Sequence, residues 1–125
     1  MTNLLMVNNE SQEMYLETIL KIKNQKGNVR AIDVAEELGY SKQSVSRAVG
    51  IMKKNGYIEV RPNGAIELTE TGRAKAESVF ARHKSLTDAF VKMGLDFSDA
   101  EQNACRVEHV ITDDAFKAIK DYFGV

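Results

Sequence analysis

The sequence holds one cysteine, Cys105, so no disulfide can close within the chain, and in a reducing compartment that thiol stays available as a ligand. It lacks any apolar run approaching the roughly 20 residues that a membrane-spanning helix needs. Residues 1–10 contain no basic stretch followed by an apolar one, so no secretory signal or membrane partner is expected and the reading is cytoplasmic. A length of 125 residues admits one ordinary core, or two small helical units that share one, and excludes a separate large catalytic domain. Internal repeats, low-complexity segments and long linkers are missing too. What remains, 43% hydrophobic and 28% charged residues, is the balance of a soluble globular protein.

A net charge of -1, spread evenly, would argue against a nucleic-acid partner, but the distribution is uneven. Residues 21–61 carry nine bases against four acids, and residues 95–125 carry seven acids against three bases. That split suits one face for phosphates and another region that holds cations.

Apolar residues at helical spacing set out the architecture. Met14, Leu16, Ile19, Leu20 and Ile22 predict a helix over residues 11–23, opened by Ser11 and stopped at Gly27 and Asn28. Ile32, Val34, Ala35 and Leu38 form the stripe of a helix over residues 30–38, with Gly39 as its stop. A four-residue turn, residues 39–42, leads into a helix over residues 43–55, capped by Ser41 and carrying Val45, Ala48, Val49 and Met52 inward. Two short helices joined by a tight turn, the second rich in Ser, Gln, Lys and Arg outside, make a helix-turn-helix. Alternation over residues 57–61 and 65–69, around Pro62, Asn63 and Gly64, adds a hairpin wing. A long connecting helix over residues 73–93 follows, with Ala76, Val79, Phe80, His83, Leu86, Phe90 and Val91 inward. Two shorter amphipathic helices, residues 98–110 and 113–123, each opened by a Ser or Asp cap, complete the chain. The expected fold is mainly α: a winged helix-turn-helix DNA-binding domain over residues 1–72, then a helical domain over residues 73–125.

A helix that enters the major groove needs small or polar side chains near its N-terminus for base edges, and flanking cations for phosphates. Gln43, Ser44 and Arg47 are assigned to base edges; Ser41, Lys42, Ser46, Lys53, Lys54 and the wing residue Arg61 are assigned to phosphate, and Arg30 joins the DNA-binding set. A lone basic helix would read better as a solvated face. The turn, the second helix and the wing in the right order are what favour double-stranded DNA.

In the acidic half, Cys105, Glu108 and His109 stand at i, i+3 and i+4 of a predicted helix and offer sulfur, oxygen and nitrogen from one face. Alone, this pattern reads better as a small core cysteine followed by a solvated Glu-His pair, and His83 alone is equally a core histidine or a ligand. An enzyme with Cys105 as nucleophile and His109 as base finds no obvious oxyanion hole, so no enzymatic activity is expected.

The separated motifs Glu13-Met-Tyr-Leu-Glu-Thr-Ile19, Val45-Ser-Arg-Ala-Val49, Leu68-Thr-Glu-Thr-Gly72, Arg82-His83 and Ala104-Cys-Arg-Val-Glu-His-Val110 together resemble the iron-dependent repressor family, which includes the diphtheria toxin repressor and manganese transport regulator groups. The resemblance spans residues 11–122 and implies a metal-sensing repressor of metal homeostasis that binds a palindromic operator as a homodimer. It implies a primary metal site of Met14, Cys105, Glu108 and His109, and an ancillary site that includes His83. Thr87 stands where iron-type members carry a glutamate, and Glu101 where they carry a histidine. Manganese-type members place acids at the positions of Met14 and Cys105 and a glutamate at that of Glu17. The SH3-like domain of longer members, with any ligands it gives, is not expected.

Thiolate and thioether donors favour Fe(II), Co(II), Ni(II) or Zn(II) over hard Mn(II), so Fe(II) is the expected ion, with Mn(II) next and Co(II), Ni(II) or Zn(II) binding in vitro. The bound cation is expected to tie the two halves, so that the recognition helices of a dimer meet successive major grooves about 34 Å apart or a multiple of that. Dimer contacts are expected from the last helices, through Phe116, Ile119, Tyr122 and Phe123. The rivals are a winged-helix regulator that responds to an organic ligand or to none, and a metal-storage protein or metal-dependent enzyme.

Overall fold

A computed structural model describes residues 4–125, with side chains from Ser11 onward. Ser11–Glu77 form one compact unit and Ser78–Val125 belong to a second. Among the described residues no helix is long and apolar enough to cross a membrane.

The first unit holds α1 (Leu4–Lys26) from Ser11 onward, α2 (Ala31–Leu38), α3 (Lys42–Lys54), β1 (Ile58–Val60), β2 (Ile66–Leu68) and the start of α4 (Glu70–Lys92). Helix α1 begins well before Ser11, which therefore lies inside it and caps nothing. Tyr15, Leu16, Ile19, Leu20 and Ile22 recur at helical spacing and are buried with Val34, Ala35, Val45, Met52, Ile58 and Ile66. Side chains such as Leu16 and Ile19, at 0% and 1% exposure, each contribute roughly 1.5–3 kcal/mol of burial. Ile32 departs from the expected stripe at 44% exposure, because the eight residues of α2 make barely two turns and its contact is spent on Val34 and Ala35.

Local chemistry sets the ends of these elements. Asp33 Oδ2 accepts the backbone N–H of Arg30 (2.9 Å) and so ties down the N-terminus of α2. Gly39, at φ 69°, closes α2 in the left-handed region, its N–H donating to Ala35 O. Ser41 caps α3, its hydroxyl accepting the Ser44 N–H (3.1 Å). The strands are three residues each, antiparallel, with Ile58 opposite Leu68 and Val60 opposite Ile66. On the side of β2 away from β1, the Ile66 N–H donates to Val29 O (2.7 Å). Gly72, at the head of α4, packs so closely that an added Cβ would lie 1.9 Å from the carbonyl oxygen of Tyr57.

The second unit holds the rest of α4, then α5 (Phe97–Val107) and α6 (Asp113–Phe123). Val79, Leu86, Thr87, Ala89, Ala100 and Ala104 are buried, the two α5 alanines one helical turn apart. Val91, expected inward, is 42% exposed on the last turns of α4. The caps are Asp96 and Thr112 rather than Ser98 and Asp113: Asp96 Oδ1 accepts from Asp99 N (2.9 Å), and Thr112 Oγ1 from Ala115 N (3.1 Å). Helix α5 stops at Val107, short of the expected residue 110, so Glu108 is its C-cap and His109 lies in the turn.

Candidate metal centre and nucleic-acid interface

Within the second unit two of the sequence-predicted donors, His83 and His109, meet a third, the carboxylate of Glu108. Glu108 is fully buried, with His83 Nδ1 2.6 Å from its Oε2 and His109 Nε2 3.1 Å from its Oε1. The other nitrogen of His83, Nε2, stands 4.0 Å from Oε2 of Glu101. His83 Nδ1 and Glu108 Oε2 are close enough to share a cation. His83 comes from α4, Glu101 from α5, and Glu108 and His109 from the end of α5 and the turn after it. Cys105, one turn before His109, is exposed. A carboxylate removed from water is sustained only by charged or hydrogen-bonding partners, and here two imidazoles face it.

The donor set fits a first-row divalent ion. Imidazole nitrogen and carboxylate oxygen are ligand types that such an ion takes, while the 2.6 Å between His83 Nδ1 and Glu108 Oε2 is the length of a direct hydrogen bond. Thr87, at the position expected to be weak, is buried and turned onto its own helix, its hydroxyl donating to His83 O (2.8 Å). Its hydroxyl hydrogen is engaged by the backbone.

Met14 and Glu17 lie on α1 in the first unit, both half-buried. The Met14 sulfur accepts a hydrogen bond from the Tyr40 hydroxyl (3.7 Å), and the Tyr40 ring meets that of Tyr15 edge-on, with centroids 6.1 Å apart. Sequence reasoning gave Tyr40 no role. Its place directly before the Ser41 cap was visible, but its reach back to α1 was not.

Arg82, beside His83 on α4, stood in a quoted motif but was given no role of its own. Its Nη1 donates to Glu108 O (3.2 Å) and Ile111 O (3.3 Å), and its Nη2 to Asp113 Oδ1 (2.9 Å). The guanidinium stands over the Phe116 ring, 5.3 Å from its centroid.

On the first unit, Lys42, Gln43, Ser44, Ser46 and Arg47 are all exposed along α3, with Lys53 and Lys54 exposed in its last turn. Ser41 and Ser44 are tied to each other, hydroxyl to hydroxyl at 3.0 Å, as part of the cap. Arg61 pairs with Glu67 across the hairpin, which raises the pKa of the guanidinium and lowers that of the carboxyl. Arg30 is exposed before α2, and its Nη1 would lie 3.9 Å from a Cβ added at Gly64 of the wing turn. A shallow groove between the end of α3 and β1 is lined by Lys53, Gly56, Val60, Arg61 and Pro62. Among the expected dimer residues, Phe116, Ile119 and Phe123 are half-buried and Tyr122 is 84% exposed.

The N-terminal DNA-binding domain of iron-dependent repressors matches residues 9–66, and their metal-binding and dimerisation domain matches residues 69–125. The diphtheria toxin repressor of Corynebacterium efficiens is 35% identical over 109 residues, covering 84% of this chain and 46% of that protein. The chain thus spans about half the length of the first curated relatives it matches. A relative of similar length, the uncharacterized HTH-type transcriptional regulator MJ0568 of Methanocaldococcus jannaschii, is 30% identical over 113 residues, covering 89% of this chain and 90% of that protein. A manganese-dependent transcriptional repressor solved in complex with manganese shares the fold, with a TM-score of 0.82 at 24% identity over 90% of this chain and 52% of that one.

Proposed function

The chain belongs to the iron-dependent repressor family, and from that membership we propose that it is a metal-dependent transcriptional repressor, binding a palindromic operator as a homodimer when loaded with Fe(II) or a similar divalent ion. The observation that carries this reading is the buried Glu108 carboxylate with His83 and His109 on its two oxygens.

The proposed donors are Glu108 and His109 with Cys105 for the primary site, and His83 with Glu101 for the ancillary one. Met14 and Glu17 enter on the family resemblance alone. The ion supplies positive charge and fixed ligand directions when bound. The chain's own residues would hold it: Glu108 through its carboxylate and His83 and His109 through ring nitrogens, with burial keeping water from competing for the carboxylate. The sulfur donors tilt the preference toward Fe(II), with Mn(II) next. To move the protein from 1:99 to 99:1 in favour of the DNA-competent state, the ion must prefer that state by roughly 5.5 kcal/mol.

DNA binding is assigned to the exposed face of α3 and to the wing, supported by the run of uncommitted side chains Lys42, Gln43, Ser46 and Arg47 and by the exposed cations Lys53 and Lys54 in the last turn of α3. Phe116, Ile119, Tyr122 and Phe123 are the proposed dimer contacts.

A gel-shift titration tests the reading. A duplex selected from a random-sequence library with Mn(II) present is titrated with protein plus Fe(II) under anaerobic conditions, Mn(II), Zn(II) or chelator, at fixed salt. Binding should appear with metal and vanish with chelator. Binding that ignores chelator would overturn it in favour of a regulator with an organic ligand or none.

A further inference from the structure

We infer that Arg82 is the positioning residue of the proposed metal centre, setting the backbone from which Glu108 and His109 project; this rests on the metal reading above.

The end of a helix leaves carbonyls without intrahelical donors, and α5 ends one residue before the key carboxylate. Glu108 O and Ile111 O, which flank His109 and Val110, both receive the same Nη1 of Arg82, at 3.2 and 3.3 Å. The second nitrogen, Nη2, reaches Asp113 in the first turn of α6, where a carboxylate already suits the helix dipole. One guanidinium therefore holds the last residue of the α5 turn, the middle of the connection and the first residue of α6. That segment carries two of the proposed donors, and His83, adjacent to Arg82 on α4, supplies a third.

The side-chain type matters. Three acceptors in different directions call for a planar fork with several fixed N–H groups, whereas a lysine ammonium is a compact charge that cannot span them. Phe116 backs the guanidinium at 5.3 Å, and the Arg82 side chain is only 19% exposed, so the fork is restrained and partly shielded from water. Asp113, by contrast, is 93% exposed, so its ion pair adds little and the two carbonyl contacts set the geometry. Partners that orient metal ligands in this way commonly change affinity by about 10–100-fold when removed.

The test uses Mn(II) and Co(II) alone as probes with the wild-type chain, Arg82→Lys, Arg82→Ala and Glu108→Gln. Affinity is read by competition with a chromophoric chelator, ligand geometry by the Co(II) visible spectrum, and the fold without metal by circular dichroism and urea midpoint. Arg82→Lys should keep the metal-free helicity of the wild type, weaken Mn(II) binding about 10–100-fold and alter the Co(II) spectrum. Wild-type affinity and spectrum in Arg82→Lys would overturn the inference. So would a loss of affinity that only tracks a loss of metal-free helicity, which marks a purely structural strap. Failure of the metal reading itself looks different: wild type would bind neither ion, or Glu108→Gln would bind as wild type does.

Discussion

Tyr40 donates its hydroxyl hydrogen to the sulfur of Met14 over 3.7 Å. A side chain one residue ahead of the cap of α3 thus holds the thioether that the family resemblance names as a metal donor. A cation drawing on that sulfur has to compete with the hydroxyl dipole. Tyr40→Phe is therefore expected to bind Fe(II) or Co(II) about 2–5-fold more tightly, while its metal-free stability falls by under about 1 kcal/mol, since sulfur is a weak acceptor. Isothermal titration against wild type measures both the sign and the size; weaker binding in the variant would refute the competition.

The donor assignments separate by metal. Glu108→Gln keeps the shape but removes the charge between His83 and His109, and it should weaken every divalent ion about 100-fold or more. Cys105→Ala should cost Zn(II) and Fe(II) more than Mn(II), because the lost donor is soft. Competition titrations on the three ions decide it. Equal losses for all metals in Cys105→Ala would remove the thiol from the ligand set.

Gly72→Ala should cost about 3 kcal/mol or more in urea unfolding, since its Cβ would stand 1.9 Å from Tyr57 O and 2.8 Å from Tyr57 C, both backbone atoms that a rotamer change cannot clear. A loss below about 1 kcal/mol would mean that this junction yields easily.

Asp33 is a source of acid sensitivity. The hydrogen bond from Lys26, then that from the Arg30 N–H, holds its carboxyl below the usual carboxylate range. A depressed folded-state value means that the contribution is complete above the unfolded value, about 3.9, and disappears as pH falls through that value and the lower folded one. Asp33→Asn should therefore be about 1 kcal/mol less stable than wild type at pH 7, with the gap closing below about pH 4. Urea midpoints across that range test it, and a gap independent of pH would show that the charge of Asp33 is not what stabilises α2.

Base-edge and phosphate roles on α3 give different signatures. Gln43→Ala should lose about 1–3 kcal/mol against the preferred operator and much less against unrelated duplex. Lys53→Ala should lose affinity on both and lower the slope of log affinity against log salt by about 0.9. Salt titrations on two duplexes distinguish them; identical profiles for the two variants would dissolve the assignment.

Elements governed by local periodicity and end chemistry were legible before any coordinates. Leu16, Ile19, Val45 and Met52 are buried as their spacing predicts, and Gly39 and Ser41 end and begin their helices as expected. The exposures of Ile32 and Val91 were not legible, because spacing gives the direction of an apolar stripe but not how much of it a neighbour covers. The site was half legible. The Cys105, Glu108 and His109 spacing pointed to it, but a glutamate in sequence reads as a surface residue, and the burial of Glu108 comes with His83, which lies 25 residues upstream. The reach of Arg82 to Glu108, Ile111 and Asp113, across 26 to 31 residues, has no periodic signature.

The bond from the Ile66 amide to Val29 O bears on how the wing moves. Two three-residue strands joined by a turn do not persist alone in water, and this pair is instead stitched along its inner border to Val29, two residues ahead of α2. Peeling the hairpin away means breaking that stitch, so the Ile66 amide should exchange with solvent at the slow rate of the surrounding helices rather than at the rate of a loop. On DNA, the arm carrying Arg61 would then arrive already aimed, with little ordering left to do on contact.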